Sequence, residues 1–326
     1  MHRFALFGFA LLTLPLAAAE KGKDKPVWTD AATAAAEHPA YSFQGEYGVD
    51  AKGHPWGLQV VAYMEGALEG ALLEGGLPGC GHDRSKKRIA LTGTLTGATA
   101  TLKDADGNVS VVIKDGVAQV QKGGASLTPL RRIERTSPTL GLKAPADALV
   151  LFDGRSADAW EGGKLDGELL QATGITSKEK FQSYHLHLEF RTPYLPWARG
   201  QRRGNSGVYH QNRYETQILD SFGLVGRMNE TGGIYSIAEP RINMCFPPLR
   251  WQTYDVDFTA AKFQDGKKVK NARMTVRLNG VLIHDDQELP KSTTASKLKD
   301  GPEPGGIHLQ AHGSPVRFRN IWVIRK

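Results

Sequence analysis

Cysteine is nearly absent: the 326 residues include only Cys80 and Cys245. That excludes a multi-bridge disulfide scaffold and the multi-cysteine metal modules; the two thiols fall in different expected domains and read as small buried side chains, a single bridge between them being the open alternative. Aromatic residues make up only 8% of the chain. Beyond residue 19 no uncharged apolar run approaches the roughly 20 residues that cross a bilayer, so no transmembrane segment is expected. A block of like charge is missing as well. Lys and Arg total 41 against 34 Asp and Glu, a net +7, but the basic residues are dispersed. Their densest knot, Arg199, Arg202 and Arg203, sits in a Gly/Pro-flanked loop, and no nucleic-acid motif accompanies it, so nucleic acid is not an expected partner. The Gly-rich stretch EGGLPGCGHD, residues 74–83, lacks the Lys-Ser/Thr and following helix of a phosphate-cradling loop. It reads as a wide hairpin loop, with His82 and Asp83 as surface residues.

What is present begins with a leader. Arg3, the apolar run FALFGFALLTLPL and the small residues Ala17, Ala18 and Ala19 have the pattern of a secretory signal peptide over residues 1–19, cleaved before Glu20. A periplasmic or secreted location follows, and no cysteine after the small residues offers a lipid anchor. Residues 20–40 are Lys-rich and then Ala-rich, a flexible segment with one short helix capped near Thr29 or Asp30. From 41 to 135 short apolar runs alternate with glycine turns, which predicts a small accessory antiparallel β-domain with hairpins at DGN and KDG. The Pro-containing stretch TSPTLGLKAPADA, residues 136–148, reads as a linker.

Residues 149–326 are again β-rich, with sharper alternation. Leu186, Leu188 and Phe190 fall on one face of a strand and His185, His187, Glu189 and Arg191 on the other. The histidine pair has same-face spacing but no implied third metal ligand, and reads as part of a wet sheet face. Asn279-Gly280 is a two-residue hairpin signal. Strands with one apolar and one polar face build two packed sheets, so the expected fold class is all-β, a jelly-roll β-sandwich preceded by the small β-domain. Within it, NSGVYHQNRYETQILDSFG, residues 205–223, places an unusual density of amides and carboxylates on what reads as two strands.

The segments LVLFDGRSADAW, HLHLEFRTP, NSGVYHQNRYETQILDS, GGIYSIAEPRIN, RWQTYDVDFTA, VRLNGVLIHDDQEL and HLQAHGSPVRFRNIWV occur in this order. Together, over roughly residues 147–326, they resemble the 3-keto-disaccharide hydrolase family, a concanavalin A-like domain related to family-16 glycoside hydrolases. The resemblance implies an exported enzyme that cleaves glycosides whose sugar carries a ketone at carbon 3. Family-16 enzymes use E-x-D-x-x-E on a bulged strand, and here that spacing reads Glu215-x-Gln217-x-x-Asp220. Two of the three positions depart from the pattern. Without a bulge, residues 215 and 220 face opposite ways, and a retaining pair needs carboxyls about 5–5.5 Å apart. Ordinary double displacement is therefore not expected.

A 3-keto sugar offers another route: the ketone acidifies the hydrogen on carbon 2, so a base can remove it and the aglycone leaves from carbon 1, with or without later hydration. Glu215, Asp220 and His312 are the expected catalytic residues. Asn205, Tyr209, Gln211, Gln217, Tyr235 and Gln310 are the expected substrate-binding ones. A divalent metal, held by carboxylate and imidazole, is an alternative stabiliser of the enolate. The competing function is a non-catalytic, lectin-like carbohydrate-binding module, for which Trp197, Tyr209, Tyr235 and Trp251 would supply stacking platforms.

Overall fold

A computed structural model describes residues 25–326; the expected leader lies outside them. Asp30 caps the short helix Ala31–Glu37, its Oδ1 accepting from the Thr33 N–H at 2.9 Å. Strands then dominate, as the alternation requires. Val109, Val111 and Ile113 are buried, while Val112 and Lys114 on the same strand are exposed.

The strands between Gly45 and Ile133 form more than a stack of hairpins. Trp56–Ala62, Ala67–Glu74, Arg88–Thr96, Thr99–Lys103, Val109–Lys114 and Val117–Lys122 run as an antiparallel meander. Leu130–Ile133 then pairs with both Val117–Lys122 and Gly45–Tyr47, which closes the ring into an eight-stranded barrel. Its interior is filled by Tyr47, Leu58, Val60, Leu72, Leu91, Val111 and their neighbours. The KDG signal is a two-residue turn in which Asp115 and Gly116 both take positive φ. The Gly-rich stretch is indeed the wide loop between two paired strands.

The rest folds as a sandwich. One sheet orders Leu165–Asp166, Leu169–Gln171, Arg317–Arg325, Tyr184–Arg191, Gln252–Thr259, Ala272–Leu278 and Val281–Leu289, with Leu149–Phe152 added against Arg317–Arg325. The other orders Trp160–Glu161, Ile175–Ser177, His308–Leu309, Ser206–His210 and Tyr214–Ile218. Leu186, Leu188, Phe190, Val256, Phe258, Val208 and Ile218 fill the space between them. Asn279-Gly280 makes the expected turn, with φ of 52° and 77°. The chain is an all-β, jelly-roll-like protein. Both cysteines are free and buried. Among the described residues no helix is long and apolar enough to cross a membrane.

Part of the polar face of the larger sheet is dry. Residues 137–142 lie across it: Thr139 Oγ1 donates to Asp255 at 2.7 Å, the Gly141 N–H to Glu189 at 2.6 Å, and Leu142 O accepts from Asn320. Beneath them His187 is fully buried, 2.6 Å from Asp255, and Arg319 donates to Glu189 at 2.6 Å. The reading of His187 as solvated is therefore corrected. A sheet face this polar is covered by chain that supplies the missing hydrogen bonds.

Candidate active site

The five-stranded sheet carries the second concentration of polar side chains. Ser206–His210 and Tyr214–Ile218 form a regular hairpin whose register sets Tyr209 opposite Glu215 and Gly207 opposite Gln217. These four residues share one face. Gly207 has a steric reason: a Cβ there would run into Glu215 Oε1. The Glu215 carboxylate folds across the space that glycine leaves.

Asn205, Tyr209, Glu215, Gln217, Tyr235, Gln310 and His312 line one cleft of about 120 Å³, together with Gln201, Thr294 and Ala295. Seven of the nine residues expected from the sequence thus come together. Tyr209 donates to Glu215 Oε2 at 2.9 Å and accepts from Gln310 Nε2 at 3.2 Å. The Glu215 N–H donates to Thr293 Oγ1 at 2.9 Å. His312 is exposed at the rim, and Tyr235 is half-buried. Gln201 ties the amides together, its Oε1 accepting from Asn205 Nδ2 at 3.1 Å and from Gln217 Nε2 at 3.3 Å.

Two buried acceptors at this cleft have no partner, Glu215 Oε1 and Asn205 Oδ1. Orphan acceptors at a cleft match a ligand rich in hydroxyl donors. Burial pushes the Glu215 carboxyl up to about 7 against the opposing hydrogen bond from Tyr209. A carboxylate poised there can take a proton near neutral pH. Burial, and next the Glu215 charge, raise the Tyr209 phenol. Burial lowers His308, whose ring lies 5.7 Å from that of Tyr209, to about 4, so it stands neutral behind the cleft.

Two expected site residues lie elsewhere. The strand ends at Ile218 without a bulge, so Asp220 leaves the sheet, and its carboxylate accepts from Arg203 at 3.1 Å in a buried pair. Burial raises its pKa, the Arg203 charge opposing. Gln211 sits in the hairpin turn with φ of 54°, its amide donating to Phe181 O at 2.9 Å. Of the four expected lectin platforms Tyr209 and Tyr235 line the cleft, while the two tryptophans lie away from it. Trp251 lies between the guanidiniums of Arg191 and Arg319, and Trp197 donates to Pro26 O beneath Lys25.

Gln201, Thr293, Thr294 and Ala295 were not anticipated. Gln201 was hidden in a loop whose arginines dominate its pattern, and the only local oddity of the other segment, the positive φ of Ala295, belongs to the backbone. Among the described residues no three His, Cys, Asp or Glu side chains gather to hold a metal. At the cleft that class is represented by Glu215 and His312, short of a closed ligand set.

Residues 147–324 match the family described as the 3-keto-alpha-glucoside-1,2-lyase-like domain. Among solved structures, a candidate glycosyl hydrolase from Parabacteroides distasonis is 32% identical, with a TM-score of 0.52 over 56% of this chain and 85% of its own. Two further candidate glycosyl hydrolases of that organism align at 18% and 22% identity with TM-scores of 0.42 and 0.40, covering 55% of this chain and 94% and 99% of theirs. A comparison with curated proteins finds no match. With a family match spanning more than half of its length, and a glycosyl hydrolase-like relative sharing the sandwich, the chain belongs to the 3-keto-disaccharide hydrolase family and is a glycoside-acting enzyme.

Proposed function

We propose that the protein cleaves glycosides bearing a ketone at carbon 3, and that Glu215 is the base. The observation that carries this reading is a single buried carboxylate, held near neutral pKa and with one oxygen unpartnered, at a cleft lined besides by amides, hydroxyls and the His312 imidazole. Retaining hydrolysis takes two carboxyls about 5–5.5 Å apart, and inversion takes a wider pair. With Asp220 committed to Arg203, this cleft offers one. One base is enough for elimination. Ionised Glu215 takes the hydrogen from carbon 2, and the electron pair moves toward the ketone to give an enolate. The enolate then expels the aglycone oxygen from carbon 1, forming a carbon 1–carbon 2 double bond. An amide N–H of Gln310 meets the enolate oxygen, Asn205 and Gln217 hold substrate hydroxyls, and His312 at the rim delivers the proton to the departing oxygen. Water adding across the double bond completes a net hydrolysis; without that step the product is the unsaturated keto-sugar. The exported location expected from the leader is part of the same proposal.

The test is turnover of a panel of 3-keto-glucosides beside their unoxidised parents, with product analysis. Cleavage of the keto-sugars alone is expected. Equal or faster cleavage of the parents overturns the reading.

A further inference from the structure

Tyr63 directly follows the barrel strand Trp56–Ala62 and is 3% exposed. With Val61 it packs against Phe222 and Cys245 of the sandwich. The two bodies approach closely there, since a Cβ on Gly223 would lie 2.6 Å from Val61 Cγ2. Over the Tyr63 ring lie two guanidiniums, Arg199 at 3.3 Å and Arg203 at 5.5 Å from the centroid. Arg203 also donates to the Tyr63 hydroxyl at 3.2 Å, and that hydroxyl donates to Glu69 at 3.1 Å.

Both arginines belong to the loop that lines the cleft. Between them runs the 3₁₀ turn Gly200–Arg202, whose Gln201 accepts from Asn205 and Gln217. Gly200 and Gly204 both take positive φ, conformations that bend the loop but do not hold it. From outside, the Tyr63 ring, the Arg203–Asp220 pair and the bond from the Asp220 N–H to Arg203 O hold its arginines, and Gln201 Nε2 donates to Asn229 O at 2.8 Å. The Glu215 hairpin, by contrast, is fixed by its own ladder and by Thr293.

We propose that Tyr63, on the barrel, is a positioning residue for the sugar cleft: by stacking on Arg199 and Arg203 it sets Gln201, and through Gln201 the amides of Asn205 and Gln217. The barrel is then part of the substrate site, although none of its side chains reaches the sugar. This rests on the cleft being where substrate binds. The loop orients hydroxyl-binding amides and moves no proton, so its loss is felt in KM. Tyr63→Ala should raise KM about tenfold or more, with kcat within about twofold and an unchanged pH midpoint. Tyr63→Phe keeps the ring and should stay near wild type. Arg199→Met, which leaves the barrel intact, should repeat the KM effect. Leu72→Ala, inside the barrel core, should lower Tm without moving KM. An unchanged KM in both Tyr63→Ala and Arg199→Met, or a KM rise in Leu72→Ala as large as in Tyr63→Ala, overturns the proposal. Hydrogen exchange gives a reading independent of turnover. Tyr63→Ala should speed exchange in residues 199–205 but not in Ser206–His210, and equal exchange in the loop contradicts the brace even if no keto-sugar is cleaved by the wild type.

Discussion

The two sheets of the sandwich each gather carboxylate and histidine on a polar face, and they use them in opposite ways. Around Glu189 every acceptor is met: Arg319, Asn320 and the Gly141 N–H all donate to it, and His187 lies between it and Asp255. Burial alone would raise the Glu189 carboxyl, yet these donors hold it down to about 2. Around Glu215 the donors stop at Tyr209, one oxygen is orphaned, and burial prevails, lifting it to about 7. Similar residue types thus make a fastening for residues 137–142 on one sheet and a buried carboxyl raised to about 7 on the other. The density of polar groups does not separate them; the completeness of their hydrogen bonding does.

The largest expected break in that comparison is Glu215→Gln, which removes the base but keeps the shape. Turnover of a 3-keto-glucoside should fall by about 10² to 10⁴, with Tm preserved. Glu189→Ala should do the reverse, leaving buried donors without their acceptor at a cost of about 3–5 kcal/mol, read as a large fall in Tm with kcat/KM per folded enzyme unchanged. Gln217→Ala should raise KM about tenfold while kcat holds, as an amide that contacts hydroxyls would.

The smallest effect is a difference in sign. Glu215 is raised from an ordinary 4.5 to about 7, so the native state holds a proton that the unfolded state has lost. Its contribution to stability therefore falls as pH rises between those values. Glu189 is lowered from 4.5 to about 2; its contribution is present above 4.5 and lost as pH drops toward 2. In Tm series across pH, Glu215→Gln should gain on the wild type between about 4.5 and 7. Glu189→Gln should lose least against the wild type at the acid end. Parallel curves for both variants would undo the contrast.

The sequence carried much of this and hid the rest for physical reasons. Period-two alternation exposed the strands, Asn279-Gly280 its turn, and the crowding of amides and carboxylates at 205–217 the cleft, because all are local. Asp220 was misplaced because its spacing from Glu215 matches a bulged strand, whereas this strand ends at Ile218 and a partner seventeen residues back, Arg203, captures the carboxylate. Barrel closure depends on Leu130–Ile133 finding Gly45–Tyr47, a pairing between strands far apart in the chain. His187 read as solvated because nothing in its own strand announces that residues 137–142 will cover it.

The central claim, that the hydrogen on carbon 2 is removed during cleavage, is tested most directly with a 3-keto-glucoside deuterated at that carbon. The enzyme is run in ordinary water, and the sugar is analysed by mass at early times, before free keto-sugar enolises unaided. The account predicts that the sugar released has lost its deuterium, and that Glu215→Gln suppresses both the loss and the cleavage. Released sugar that retains the deuterium at full turnover would contradict elimination and return the cleft to direct hydrolysis.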